Sequence, residues 1–175
     1  MKFDWEGITV NESKKLLRAV LKSNFPTTKF SITTAHMSWS DSLSVHYTDG
    51  PAGTKVWNIV RNYGGLRFDG SIDLQYNAYH WLRPNGVSTY AGTHGTRGSG
   101  GMYPEEFIPM PESNCKCVLF CNWASYDRDC THHSYDLAAR EFEKIFCIPF
   151  DTDAKLNGEW HTDLRSRLLD NMDIV

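Results

Sequence analysis

The stretch SLSVHYTDGP, residues 42–51, decides the fold because it contains both a strand and the signals that end it. Leu43, Val45 and Tyr47 alternate with serine and histidine residues, which is the period of a strand with one buried face. The Asp-Gly-Pro that follows ends the run, because aspartate accepts local backbone bonds, glycine permits a positive φ and proline has no N–H. The sequence therefore predicts a strand over 42–48 with a sharp turn after it.

Segments on either side of this strand predict an antiparallel sheet with helices packed on one face. Residues 29–34 alternate as a second strand, which we expect to form a hairpin with 42–48. Apolar residues at helical spacing predict one helix over 11–23 and another that is capped by Thr54 and runs to about Tyr63. The two glycines after that second helix are typical of a left-handed helix stop.

The rest of the chain continues the mixture of strands and helices. Residues 67–76 alternate like one strand, and 116–123 has the composition of a buried strand. Helices are predicted over 135–147 and 162–172, and the glycine-rich stretch 91–104 predicts a flexible loop. Together these elements predict a single α+β domain that comprises all 175 residues.

Charge and composition restrict the classes of partner. The formal net charge is −3 and there is no long basic run, so non-specific binding to duplex nucleic acid is not favoured. The sequence has no apolar run long enough for a membrane helix and no signal-peptide pattern at its start. We therefore expect a cytoplasmic protein of the host cell, without a membrane partner, whose five cysteines are free thiols.

The cysteines resemble metal ligands in type but not in spacing. Cys115 and Cys121 lie roughly 20 Å apart along an extended strand, which is too far for one zinc ion. Cys130 with His132 or His133 is the only sequence-local combination of a thiol and an imidazole. The sequence therefore predicts no metal, no cofactor and no catalytic residues, with Cys130 and a histidine left as an open alternative.

Other polar residues indicate binding rather than catalysis. Asp69 and Asp73 would lie about 13 Å apart on one strand, which is typical of its solvent-facing side. The loop GTHGTRGSGG carries His94 and Arg97 among glycines and suits a flexible loop, or a loop that binds a partner or a phosphate. It lacks the lysine of a P-loop. The residues expected to contact a partner are Trp39, His94, Arg97 and Tyr103.

Five motifs resemble a family of small domains associated with large polyvalent proteins of phages and plasmids. They are FPTTKFSI at 25–32, DSLSVHYTDGP at 41–51, VWNIVRNYGG at 56–65, FDGSIDL at 68–74 and HWLRPNG at 80–86. The resemblance implies a mobile-element origin and an α+β fold with a hairpin, a helix and further strands, and it carries over no catalytic residue. Members of that family are usually segments of longer chains, so the length of this chain suggests a free-standing effector or accessory protein.

Small proteins of mobile elements often act on host immunity. The leading hypothesis is therefore an anti-defence protein, of anti-CRISPR or anti-restriction type, which binds a host defence protein or ribonucleoprotein complex without catalysis. The alternative is a non-enzymatic, nucleic-acid-associated accessory module, and an enzyme that uses Cys130 or the aspartates is the third hypothesis. For the alternative module, the expected nucleic-acid contacts are Lys14, Lys15 and Arg18 of the first helix.

Overall fold

The computed structural model describes residues 4–36, 38, 40–120 and 122–174. Four helices and twelve strands are present in this described part of the chain. The helices are α1 (Val10–Asn24), α2 (Gly53–Val60), α3 (His132–Phe146) and α4 (His161–Asn171). The strands are β1 (Glu6–Ile8), β2 (Ser31–His36), β3 (Asp41–Thr48), β4 (Leu66–Asp69), β5 (Leu74–Asn77), β6 (Tyr79–Leu82), β7 (Ser88–Thr93), β8 (Glu106–Phe107), β9 (Lys116–Phe120), β10 (Asn122–Asp129), β11 (Lys155–Leu156) and β12 (Glu159–Trp160).

The larger strands form two mixed sheets. One sheet has the order β1-β9-β6-β7-β8 and the other has the order β10-β3-β2. The α+β prediction is confirmed, but the expectation of a purely antiparallel sheet is wrong, because β1 pairs with β9 and β3 pairs with β10 in parallel. Strands β9 and β10 come from far along the chain and insert beside earlier strands, which requires long connections rather than hairpins.

The main core is enclosed by the three-stranded sheet, the helices α1 and α2, and the strands β1 and β9 of the five-stranded sheet. The predicted hairpin is present as β2 and β3, and on β3 the side chains of Leu43, Val45 and Tyr47 are buried. The opposite face of β3 is polar, and the hydroxyl groups of Ser44 and Ser125 lie 2.9 Å apart across the β3–β10 pair. The alternation in the opening stretch therefore separates the core from solvent, as predicted.

The starts and ends of the two N-terminal helices differ from the prediction. α1 begins after Thr9, which forms a capping box with Glu12, rather than at residue 11. α2 has Ala52 at its N-cap and no side-chain cap, so Thr54 lies in the first turn and does not cap the helix. A 3-10 turn over Arg61–Tyr63 follows α2.

The glycine pair after α2 serves close packing and is not a left-handed stop. Gly64 has an extended backbone, with φ −116° and ψ 126°. A Cβ on Gly65 would lie 1.8 Å from the carbonyl oxygen of Phe120, and one on Gly64 would lie 2.8 Å from the backbone nitrogen of Ala124. The prediction is wrong because the backbone of 64–65 passes directly against β9 and β10, where only glycine fits.

Two predicted strands are each divided in the structure. Residues 67–76 form the antiparallel hairpin β4–β5, with Asp73 at φ +51° in the turn. The stretch 116–123 is divided between β9, which ends at Phe120 in the five-stranded sheet, and β10, which begins at Asn122 in the three-stranded sheet. The chain therefore crosses from one sheet to the other within a run that resembles one strand.

The side chain of Asp49 connects the turn after β3 to the C-terminal third of the chain. Its carboxylate accepts hydrogen bonds from the backbone N–H and the hydroxyl of Thr131, each at 2.9 Å, and from the hydroxyl of Ser134. Thr131 is the N-cap of α3, so Asp49 adds a negative charge at the start of that helix. The Asp-Gly-Pro motif thus also positions α3.

Arg128 on β10 ties the same turn to the segment that ends α4. Its guanidinium donates to the carbonyl oxygens of Asp49 at 3.0 Å and Gly50 at 3.2 Å. It also donates to the carbonyl oxygens of Met172 at 3.0 Å and Leu169. One forked cation therefore fixes two distant segments against each other.

Candidate binding surface

The side chain of Asp69, at the end of β4, organises the glycine-rich loop. It is fully buried and accepts hydrogen bonds from the hydroxyl of Ser71 at 2.6 Å, the hydroxyl of Thr96 at 2.5 Å and the N–H of Met102 at 3.0 Å. The Ser71 and Thr96 hydrogen bonds lower the pKa of Asp69 to about 2, so the carboxylate is charged. The prediction that Asp69 faces solvent on a strand is wrong, because the β4–β5 turn places it beneath the loop.

The loop closes on itself above Asp69, and we call residues 94–103 the loop platform. The N–H groups of Thr96 and Arg97 both donate to the carbonyl oxygen of Tyr103, at 2.8 and 3.0 Å. The N–H of Tyr103 donates to the hydroxyl of Thr96 at 3.1 Å. A Cβ on Gly101 would lie 2.4 Å from the Asp69 carboxylate, so glycine is needed there. The prediction that the loop begins at residue 91 is wrong, because residues 91–93 belong to β7, which pairs with β8. The flexibility expected for the loop stays a prediction.

The backbone of the loop platform is not arranged as a phosphate cradle. Between Gly95 and Tyr103, every backbone N–H except that of Gly98 donates to an acceptor within the protein. The buried carboxylate of Asp69 would also repel a phosphate placed over the loop. The arrangement therefore favours a loop that presents side chains, rather than one that presents amides.

Three of the predicted partner-binding residues lie together on the loop platform. His94 is exposed, with its Nδ1 3.5 Å from the carboxylate of Glu105, and Arg97 is also exposed. Tyr103 is partly exposed and stacks on Tyr76, with 5.2 Å between the ring centroids. The fourth predicted residue, Trp39, lies outside the described residues.

The predicted nucleic-acid contacts lie on a different element. Lys15 and Arg18 are exposed on α1, and Lys14 on the same helix is half-buried. In the described part of the chain none of the three forms an ion pair. Their role in binding stays a prediction.

An exposed apolar segment, residues 102–110, overlaps the end of the loop platform, and of its residues only Tyr103 was predicted from the sequence to contact a partner. Its five large apolar side chains are between 39% and 61% exposed, and they are Met102, Tyr103, Phe107, Ile108 and Met110. The signal was present in the sequence GMYPEEFIPMP, where prolines separate large apolar residues that have neither strand nor helix spacing. Such residues cannot share one buried face.

The backbone of the apolar segment is nevertheless fixed to the five-stranded sheet. The N–H of Ile108 donates to the carbonyl oxygen of Ala91 at 2.8 Å, and the indole N–H of Trp81 donates to the carbonyl oxygen of Ile108 at 2.9 Å. Phe107 lies in β8 opposite Gly92, where a Cβ would approach the backbone of β8 to 2.2 Å. The segment is therefore anchored through its backbone and through the ring contacts of Tyr103 with Tyr76 and Phe107 with Trp81, while each of its five large apolar side chains stays 39–61% exposed.

The surroundings of Cys130 give little support to the open alternative in which its thiol acts with a neighbouring histidine. Cys130 is half-buried, and burial raises the pKa of its thiol, which disfavours the reactive thiolate. His132 and His133 are exposed in the first turn of α3. In residues 4–36, 38, 40–120 and 122–174, no three His, Cys, Asp or Glu side chains are grouped so that they could hold a metal ion.

No helix in this part of the chain has the length and apolar character needed to cross a membrane.

Comparison with known proteins gives one match. The family described as "Large polyvalent protein associated domain 29" matches residues 8–99, which is more than half of the chain and extends beyond 25–86 at both ends. No curated protein matches, and no solved structure matches. The matched range contains the Asp-Gly-Pro turn and Asp69, and it associates the chain with phages and other mobile elements. The chain belongs to the large polyvalent protein associated domain 29 family.

Proposed function

We propose that this protein is an anti-defence protein of a mobile element, of anti-CRISPR or anti-restriction type, and that it acts by binding a host defence protein or ribonucleoprotein complex. Membership of a mobile-element-associated family supports the origin. The observation that carries the mode of action is the apolar segment, whose exposed side chains stand on an anchored backbone. Binding requires no catalytic residue in this mechanism.

The composition of the apolar segment suits the centre of a protein interface. Methionine and aromatic residues are enriched there, and an exposed apolar patch on a folded domain marks an interaction surface. Burying one such side chain completely contributes roughly 1.5–3 kcal/mol. The five side chains here are between 39% and 61% exposed, so covering each one contributes about half of that amount.

The loop platform supplies the polar edge of this surface. Arg97 and His94 lie beside the apolar segment on a loop that Asp69 already holds in one arrangement. A surface that is ordered before binding loses less conformational entropy when the complex forms. The edge has mixed charge, because Arg97 is cationic while the exposed carboxylates of Glu105 and Glu106 lie within the apolar segment. It suits a partner whose contact region is apolar and carries both charged and polar groups at its rim.

The test compares two isoleucines in a plaque assay. Ile108 lies in the apolar segment, and Ile145 is 50% exposed on α3. The protein is expressed in host cells that carry single defence systems, and phage plating is measured for the parent, Ile108→Asp and Ile145→Asp. We expect the parent and Ile145→Asp to restore plating against one system, and Ile108→Asp to fail.

Two outcomes would contradict the proposal. One is that the parent, shown to be soluble, restores plating against no restriction or CRISPR system in a broad panel. The other is that Ile108→Asp and Ile145→Asp act equally, which would place the contact elsewhere. Co-purification of the defence complex with the parent, and its loss with Ile108→Asp, would identify the bound component.

A further inference from the structure

A second surface, which we call the aromatic cleft, lies where α2, β4 and β10 meet. Its volume is about 320 Å³. Trp57 from α2 and Phe68 from β4 are 37% and 48% exposed, and Trp123 from β10 completes an aromatic wall. The residues that line the aromatic cleft are Trp57, Arg61, Leu66, Arg67, Phe68, Trp123 and Ala124.

The aromatic cleft contains two cations and no acidic residue. Arg61 is exposed, and within the described residues its side chain forms neither a hydrogen bond nor an ion pair. Arg67 donates to the carbonyl oxygens of Gly64 at 3.1 Å, Leu66 at 3.0 Å and Arg61 at 2.8 Å. The guanidinium of Arg67 is therefore occupied by backbone carbonyl oxygens beside the cleft, whereas that of Arg61 can contact a ligand.

The electrostatics of the aromatic cleft favour an anionic ligand. Burial is the main cause that lowers the pKa of Arg67, and the nearby charge of Arg61 lowers it further. No acidic residue of the described chain lines the cleft to compensate the two guanidinium groups. The whole chain carries a formal net charge of −3, so this is a local cationic site on an acidic protein. Because the net charge of the protein is negative, it does not attract an anion over a long distance, and an anionic ligand would bind through direct contact with the cleft.

We propose that the aromatic cleft binds a nucleotide of a single-stranded nucleic acid, with a base stacked on its aromatic side chains and the adjacent phosphate held by Arg61. Aromatic side chains beside a cation are the arrangement that binds single strands, because every unpaired base offers a flat face next to a phosphate. A duplex hides those faces, so it would bind more weakly. This site is distinct from the apolar segment and does not depend on the anti-defence proposal.

The test measures binding of a fluorescein-labelled oligo(dT) strand of about 12 nucleotides, at about 50 mM salt, by fluorescence anisotropy. We expect Trp57→Ala and Arg61→Ala each to weaken binding about ten-fold, and Trp57→Phe to retain most of it. Arg140→Ala is the control, because Arg140 is exposed on α3 and is not among the residues that line the cleft. Circular dichroism checks that each variant is folded.

Salt dependence provides an independent readout. One phosphate contact by Arg61 gives a slope of about −0.7 in log K against log salt, and Arg61→Ala should remove about that much of the slope. The proposal is overturned if the parent does not bind the strand. It is also overturned if Lys15→Ala or Arg18→Ala abolishes binding while Arg61→Ala does not, since the site is then α1. Loss of a captured protein partner in Arg61→Ala, without any strand binding by the parent, would make the cleft a protein interface instead.

Discussion

Replacing Arg128 by alanine should destabilise the protein substantially, because one side chain satisfies carbonyl oxygens from two segments. The guanidinium donates to Asp49 and Gly50 in the turn after β3, and to Leu169 and Met172 near the end of α4. Alanine leaves all four oxygens without this donor. The turn and the C-terminal segment then lose the cation that holds them together.

The size of the effect follows from which oxygens keep another donor. Gly50 still accepts the N–H of Ile174 at 2.6 Å, and Leu169 still accepts that of Met172 at 3.2 Å. The carbonyl oxygens of Asp49 and Met172 lose the only donor that the described residues provide. A hydrogen bond from a charged donor contributes about 1.5–3 kcal/mol, so two lost bonds amount to about 4 kcal/mol. For a domain of this size that corresponds to a decrease of about 8–16 °C in Tm.

Thermal unfolding followed by circular dichroism measures this directly, with urea unfolding as a second measure. Arg128→Lys should fall between the parent and Arg128→Ala, because an ammonium group cannot reproduce the fork of donors. Arg140→Ala, at an exposed position on α3, should melt like the parent. A Tm for Arg128→Ala within about 2 °C of the parent, or an equal loss in Arg140→Ala, would refute the reasoning.

Three further predictions concern packing and pH. Gly65→Ala should prevent folding, because its Cβ would lie 1.8 Å from the carbonyl oxygen of Phe120. Gly98→Ala should be neutral, because open space surrounds that position. Soluble yield and Tm distinguish the two variants. The pKa of Asp69 is about 2, below its ordinary value of 3.8, so the stabilisation by its carboxylate is complete above pH 3.8 and is lost as the pH falls through 2. Hydrogen-exchange protection of the Met102 amide, which donates to this carboxylate, should follow the same course. A loss of that protection above about pH 4 would contradict the prediction. Burial lowers the pKa of His80 from 6.5 to about 3, so the unfolded chain binds a proton in this range that the folded chain does not. The free energy of unfolding of the parent should therefore decrease as the pH falls from 6.5 toward 3. Urea unfolding of His80→Phe should show a smaller decrease over the same range.

The hairpin β2–β3 could be predicted because its signals are local. The alternation of Leu43, Val45 and Tyr47 and the Asp-Gly-Pro turn each specify one feature without reference to the rest of the chain. The parallel partner of β3 could not be predicted, because β10 lies about eighty residues later and its pairing depends on the packing of both sheets. Local patterns determine that a strand exists, but not which strand lies beside it.

The divided strands show two different limits of sequence reasoning. The hairpin β4–β5 had a usable signal, since Asp69-Gly70 is a dipeptide that favours turns, but the alternation continued through it and obscured the break. The division between β9 and β10 had no such signal, because no proline or glycine separates Phe120 from Asn122. There the chain changes sheets for tertiary reasons.

The candidate surfaces were predictable in part. His94, Arg97 and Tyr103 were selected for residue type within a glycine-rich loop, and the structure places them on the loop platform. The role of Asp69 required knowledge of the turn that places its carboxylate beneath that loop. Arg61 belongs to a motif chosen for resemblance, and its proximity to the aromatic side chains of three elements appears only in the folded chain.

The strands β9 and β10 lie outside the range that the family match covers. Residues 8–99 include β3 and β6 but omit the strands that pair with one side of each. The start of the match overlaps β1, whose partner among the described strands is β9. A fragment that stops at residue 99 would therefore have an open edge in each sheet, and such edges associate with other strands. The family match is therefore shorter than the pairing of the two sheets, because both sheets are completed by strands that lie between Lys116 and Asp129.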